Sequence, residues 1–174
     1  MAVINEVDDL LTHPQPASKV GGKKLMEVIR VFTIAAGDDD GSKWLLAEVP
    51  GTAQLVSAEI EGAAVTGMTD VDFGFYDVEG NAVDADKLAD GLDLSSTTGL
   101  PTGPLGDPVR QVMSGLALTD ADKPVAELAG HVVKALPATG ETRAKEKYRI
   151  AMTANTVGSG AGTFCSRVKY LMEP

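Results

Sequence analysis

Three adjacent carboxylates, Asp38, Asp39 and Asp40, stand between two apolar runs in the stretch "AAGDDDGSKWLLAEV". Aspartates at this density are the raw material of a calcium loop. An EF-hand loop takes oxygens from positions 1, 3, 5 and 12, with glycine at position 6. Placing Gly41 at position 6 puts Asp40 at 5 and Asp38 at 3, but Ala36 then falls at position 1 and Ala47 at position 12. Glu48 comes one residue too late for the bidentate site, and the flanks read as strands. The expectation is therefore a charged β-hairpin tip in solvent. Such a tip discourages edge-to-edge association and offers negative charge to basic side chains of a partner.

The other residues able to do chemistry are few. Cys165 is the single cysteine, so no intramolecular disulfide forms, and it reads as a small buried hydrophobe. A thiolate nucleophile would call for a histidine, and only His13 and His131 exist. Gly158 to Thr163, "GSGAGT", lacks the Gly-Lys-Ser/Thr of a phosphate loop and precedes a strand pattern, so a hairpin turn is expected. Asp70, Asp72, Asp84, Asp86, Asp90 and Asp93 include enough carboxylates for a glycosidase-type acid and base, but their spacing selects no pair. A Ser-His-Asp triad draws its members from anywhere in a chain, so spacing does not test it. No G-x-S-x-G elbow is present. Trp44 reads as core or as half of a cross-strand pair. These residues give no positive case for a catalytic, cofactor or metal site.

The elements that must position these residues read as β structure. Residues 1–24 form an N-terminal arm. "VINEVDDLL" places Ile4, Val7 and Leu11 at helical spacing before Pro14, Pro16 and Gly21-Gly22 loosen the chain. Ile4, Val7, Leu10 and Leu11 are the anchors expected if the arm docks on a partner, and Asp38–Asp40 form the second candidate docking group. Residues 25–174 read as a single domain. "LMEVIRVFTIAA" is apolar on both faces, which suits a central strand. "TDVDFGFYDV" sets Val71, Phe73 and Phe75 against Asp70, Asp72 and Tyr76, and closes at Gly80-Asn81. "TAQLVSAEI" breaks phase, with Leu55 opposite to Val56 and Ile60.

"AVDADKLADGLDLSS" predicts an extended piece followed by one helical turn. A long Gly-, Pro-, Ser- and Thr-rich connection fills residues 95–124, and "DPVRQVMSG" inside it predicts a second turn of helix. "KPVAELAG" predicts another. "KYRIAMTAN" and "GTFCSRVKYLM" both alternate as strands. Six or seven short strands without a long helix predict a mainly β, antiparallel β-sandwich with one to three short helical turns.

Charge narrows the partners. With 15 basic and 25 acidic residues the net charge is −10, which opposes binding to nucleic-acid phosphates or to anionic membranes and suits a basic protein surface. The N-terminus lacks a basic-then-apolar signal pattern, and no apolar run approaches the ~18 residues of a membrane span. Synthesis in a cytoplasm is expected.

Several of these segments together resemble small virion proteins of tailed bacteriophages, the head decoration or cement proteins. The resemblance rests on the D-D-G-S turn at Asp39–Ser42, Val49-Pro50, "TDVDFGFY" at Thr69–Tyr76, "VDADKLADGLDLS" at Val83–Ser95, and the run from Gly162 to Tyr170. It spans roughly residues 25–172. It implies a jelly-roll-like sandwich on the outside of a phage head, made in the host cytoplasm. It implies a homo-oligomer, dimer or trimer, that bridges major capsid protein subunits and has no catalytic residue or cofactor. The alternatives are a tail or receptor-binding β-sandwich module and a glycosidase-type hydrolase.

Overall fold

The computed structural model describes residues 5–6, 15–20, 23–95, 108–112, 123–130 and 146–172. In chain order the elements are β1 (Asn5–Glu6), β2 (Gln15–Val20), β3 (Lys23–Ile34), β4 (Ser42–Pro50), β5 (Gln54–Ala63), β6 (Asp70–Tyr76), β7 (Ala82–Leu92), β8 (Pro108–Val112), α1 (Val125–Leu128), β9 (Lys147–Thr156) and β10 (Gly162–Met172). They make two five-stranded sheets, β1-β4-β9-β6-β7 and β2-β3-β10-β5-β8. Neighbours are antiparallel except for the short parallel pair β1–β4. Without the two N-terminal strands, β4-β9-β6-β7 faces β3-β10-β5-β8, the strand order of an eight-stranded jelly roll built from two Greek keys. The chain is thus an antiparallel β-sandwich, as its strand pattern predicts.

In this topology consecutive strands mostly belong to opposite sheets. Within the eight-stranded roll, only β6 and β7 are both consecutive and paired. The aspartate-rich turn joins β3 in one sheet to β4 in the other, and "GSGAGT" joins β9 to β10 in the same way. Both are arches between sheets rather than the hairpins expected. A turn sequence reports that the chain reverses, whereas distant strands decide whether the two arms pair with each other.

Alternation sets the core. Met26, Val28, Phe32 and Ile34 of β3, Val71, Phe73 and Phe75 of β6, Tyr148, Ile150 and Met152 of β9, and Phe164, Val168 and Tyr170 of β10 are all buried. Trp44 is core, opposite Met152. Phe32 and Phe164 stack with ring centroids 5.8 Å apart. The phase break in β5 is a bulge: the register against β10 shifts between Lys169 and Tyr170, which lets Leu55, Ala58 and Ile60 all bury while Val56 stays exposed.

Three local expectations change. Residues 82–92 hold no helical turn; they form β7, whose Leu88 still reaches the core. β7 is strongly irregular against β6, because between Phe73↔Ala89 and Phe75↔Asp84 β6 advances two residues and β7 five. In place of the helical turn expected in "DPVRQVMSG", Pro108–Val112 is extended as β8, paired with Ala63 to Glu59 of β5. An open sheet edge supplies backbone partners that outweigh weak helical propensity, and proline is tolerated at a strand's first position. Finally, β3 is not central in the roll. It is an edge strand of the eight, extended by β2 only along Lys23–Glu27. The helical turn expected in "KPVAELAG" is present as α1. It docks on the β4–β5 arch, where Val125 N donates to Ala53 O at 2.7 Å and Ala126 N donates to Gly51 O at 2.9 Å.

Candidate functional site

The aspartate corner is built from backbone bonds. The Asp38 carboxylate accepts the Ala35 N–H at 2.8 Å, while Asp38 N donates to Ala35 O, so this buried side chain closes its own turn. Asp39 contributes its carbonyl, which accepts both the N–H and the hydroxyl of Ser42. The Asp40 carboxylate accepts the Val157 N–H at 2.9 Å, tying the corner to the β9–β10 arch. Gly41 takes φ of +85°, and its N–H donates to Ala154 O. The three carboxylates therefore diverge onto separate tasks. Asp38 departs from the solvated tip expected of it. Among the described residues, no group of three or more His, Cys, Asp or Glu side chains is placed to hold a metal ion.

The glycine-rich arch meets protein rather than phosphate. Ser159 and Gly160 N–H groups both donate to Thr66 O, at 3.2 and 3.1 Å. Gly158 has φ of +75°, and a Cβ there would lie 2.4 Å from the same carbonyl, so glycine is required for the close approach. The β3–β4 corner, the β5–β6 arch and the β9–β10 arch are thereby knitted into one end of the sandwich.

The outer face of the β4-β9-β6-β7 sheet is acidic. Asp72 accepts from Gly91 N and from Asn155 Nδ2. The charge of Asp72 holds the Asp90 carboxyl above its ordinary range, with some burial and Asp86 adding to it. Burial and a bond with Asp86 raise Asp84 in the same direction. Asp93 is lowered by two hydrogen bonds from Ser95. Under this fringe lies a polar layer. The hydroxyl of buried Tyr76 bonds Thr153 of β9, and Lys43 Nζ sits 5.2 Å from the ring centroid. Burial raises the Tyr76 phenol despite that bond. The extra residues of β7 cross Gly74, where a Cβ would lie 2.1 Å from Asp84 O.

The outer face of the other sheet is mixed. Arg167 and Lys169 of β10 approach Glu27 of β3 at 3.3 and 3.9 Å. A shallow groove is lined by Glu59, Ile60, Glu61, Cys165 and Arg167. Cys165 is half-buried on this face rather than in the core. Beside it, Ile29 and Val31 of β3 are 38% and 66% exposed. Sequence reasoning treated both as interior. The signal that could have found them is the same two-sided apolar pattern, read as an interface instead of a central strand.

Of the candidate docking residues, Asp38, Asp39 and Asp40 lie together at one end of the sandwich. Ile4, Val7, Leu10 and Leu11 fall outside the described residues, but the chain between them places Asn5–Glu6 as a strand beside Lys43 and Trp44 of β4. No described helix is long and apolar enough to cross a membrane.

No family model matches the chain, and no curated protein matches it. Solved structures do share its fold. One is a chain of the cyanophage Pam1 capsid asymmetric unit, with a TM-score of 0.50 and 12% identity, covering 99% of each chain. Another is a chain of the capsid of Ralstonia phage GP4, with a TM-score of 0.50 and 13% identity, covering 94% of this chain and 92% of that one. At such identities the likeness is one of fold.

Proposed function

We propose that this protein is a structural component of a phage head, bound to the outer surface of the capsid and bridging neighbouring major capsid protein subunits. The observation that carries this reading is the extent of the fold likeness. It runs over 99% of both chains, N-terminal strands included, against a chain from a phage capsid asymmetric unit. The charge agrees with it, since a chain of net charge −10 suits a basic patch on a shell. The binding elements are the N-terminal segment, through Ile4, Val7, Leu10 and Leu11, and the aspartate corner. Within that corner Asp38 and Asp40 already hold backbone groups of their own chain, which leaves Asp39 as the carboxylate best placed to meet a partner. Many copies, each with a modest contact, stabilise a shell together.

The test mixes purified protein with empty heads of its phage and sediments them. Co-sedimentation that weakens with added salt, and that weakens again when residues 1–20 are deleted, is the expected result. Protein left in the supernatant at low salt would overturn the reading. Unchanged binding of the deletion variant would remove the N-terminal segment from it.

A further inference from the structure

The sequence holds two Asp-Gly pairs, Asp40-Gly41 and Asp90-Gly91, and no Asn-Gly. In such a pair the aspartate carboxyl and the next main-chain nitrogen can meet with least obstruction, because glycine has no Cβ to hinder the approach. The fold treats the two pairs differently. Asp40-Gly41 is pinned to other elements. The Asp40 carboxylate accepts the Val157 N–H at 2.9 Å, and Gly41 N donates to Ala154 O at 2.7 Å.

Asp90 and Gly91 are both exposed. They lie at a bulge, because between Val71↔Leu92 and Phe73↔Ala89 β6 advances two residues and β7 three. Gly91 takes φ of +62°. Its N–H donates to a side chain, Asp72 Oδ1, at 2.9 Å. A carboxylate thus stands within hydrogen-bond reach of the one proton that ring closure between Gly91 N and the Asp90 carboxyl must remove. The Asp72 charge, with Asp86 and Asp70 behind it, also favours the protonated Asp90 carboxyl, which is the better electrophile.

We propose that Asp90-Gly91 is a modification site, at which the chain closes a succinimide and reopens as isoaspartate, with Asp72 as the base. Gly91 N attacks Cγ of Asp90, and the N–Cγ bond forms. The N–H proton passes to Asp72 and on to the Asp90 hydroxyl, which leaves as water. Water then adds to either ring carbonyl. Cleavage at Cγ restores aspartate. Cleavage at the main-chain carbonyl leaves the chain running through Cγ, which is isoaspartate. The step consumes and returns one water and calls for no oxidant or cofactor. The added main-chain methylene falls at the bulge, where β7 meets Asp72 of β6. The inference concerns the folded chain and does not rest on the capsid reading.

The test incubates the folded, full-length protein in mildly acidic buffer, then digests it with trypsin and reads isoaspartate by electron-transfer mass spectrometry. Asp40 falls in peptide 31–43 and Asp90 in peptide 88–110, so one digest reports both. Isoaspartate is expected to accumulate at residue 90 at least several-fold faster than at residue 40. Asp72→Asn keeps an acceptor oxygen for Gly91 but removes the base, and it is expected to slow residue 90 several-fold. A thermal melt checks that this variant folds. A second arm repeats the incubation of the wild type in urea, where the bonds that pin Asp40-Gly41 are gone, and the two rates are expected to converge. That arm uses no variant, so it holds whatever D72N does to the fold. Residue 40 reacting as fast as residue 90 in the folded protein, an unchanged rate in folded D72N, or a preference for residue 90 that persists undiminished in urea would overturn the proposal.

Discussion

Asp38 and Asp39 are neighbours with different physical roles. Asp38 is buried and satisfies the Ala35 N–H, whereas the Asp39 side chain leaves the corner's bonding to its own carbonyl. Removing a carboxylate that accepts a backbone N–H costs about 1–2 kcal/mol. Asp38→Ala is therefore expected to lower stability by about that amount in urea denaturation, and Asp39→Ala to leave it nearly unchanged. Equal effects of the two would contradict this account of the corner. Asp90 tests electrostatics. Its folded pKa is raised, first by Asp72, so the folded state binds the proton more tightly than the unfolded chain does. Stability from this group thus falls as pH rises from the ordinary carboxylate range through the raised value. Asp90→Asn should raise the melting temperature at neutral pH and lose that advantage as pH approaches the ordinary carboxylate range. A constant difference across pH would show that the Asp72, Asp86 and Asp70 charges facing it play no part.

Among the elements, the least regular is β7, and its irregularity depends on β6. The backbone of Asp84 and Ala85 crosses where a side chain would otherwise stand on Gly74. Gly74→Ala must push that crossing outward or strain it, an overpacking change of about 1–3 kcal/mol. Chemical denaturation should register the loss. Hydrogen exchange should place it in β6 and β7 rather than in β3 and β10, and uniform loss of protection would contradict the local account. Much of each strand was legible beforehand. The alternation in β6, β9 and β10 matches their burial, and the phase break at Leu55–Val56 is the bulge in β5. Residues 82–92 and 108–112 were not legible as strands, because their own propensities are weak and their backbone partners lie on β6 and β5.

For the whole molecule, the N-terminal segment and the roll are separable in topology. β1 and β2 add to β4 and β3 at one side of the sandwich, each in a different sheet, and the other eight strands close without them. Deleting residues 1–20 is expected to leave one cooperative calorimetric transition at a lower temperature. Loss of cooperativity would make the segment part of the folding unit. Of the candidate site, the acidity and the aspartate corner were visible in composition. The exposed Ile29–Val31 edge was not, because an apolar residue's type does not say whether its cover comes from its own chain.

The sequence by itself determined where most of the strands run, which of their residues share a face, the acidic surface and the turns. Those properties are local, set by side-chain alternation and by backbone freedom at residues such as Gly41 and Gly80. Tertiary structure alone decided which strands pair, and with that much else changed. Two expected hairpins became arches between sheets, Tyr76 was buried with its hydroxyl on Thr153, and Asp38 and Asp40 were bound to backbone groups. β3 came to lie second in its sheet, between β10 along its length and β2 along Lys23–Glu27. The physical reason is that strands pair through backbone groups common to every residue, so the choice among partners rests on packing of the whole core rather than on any one segment.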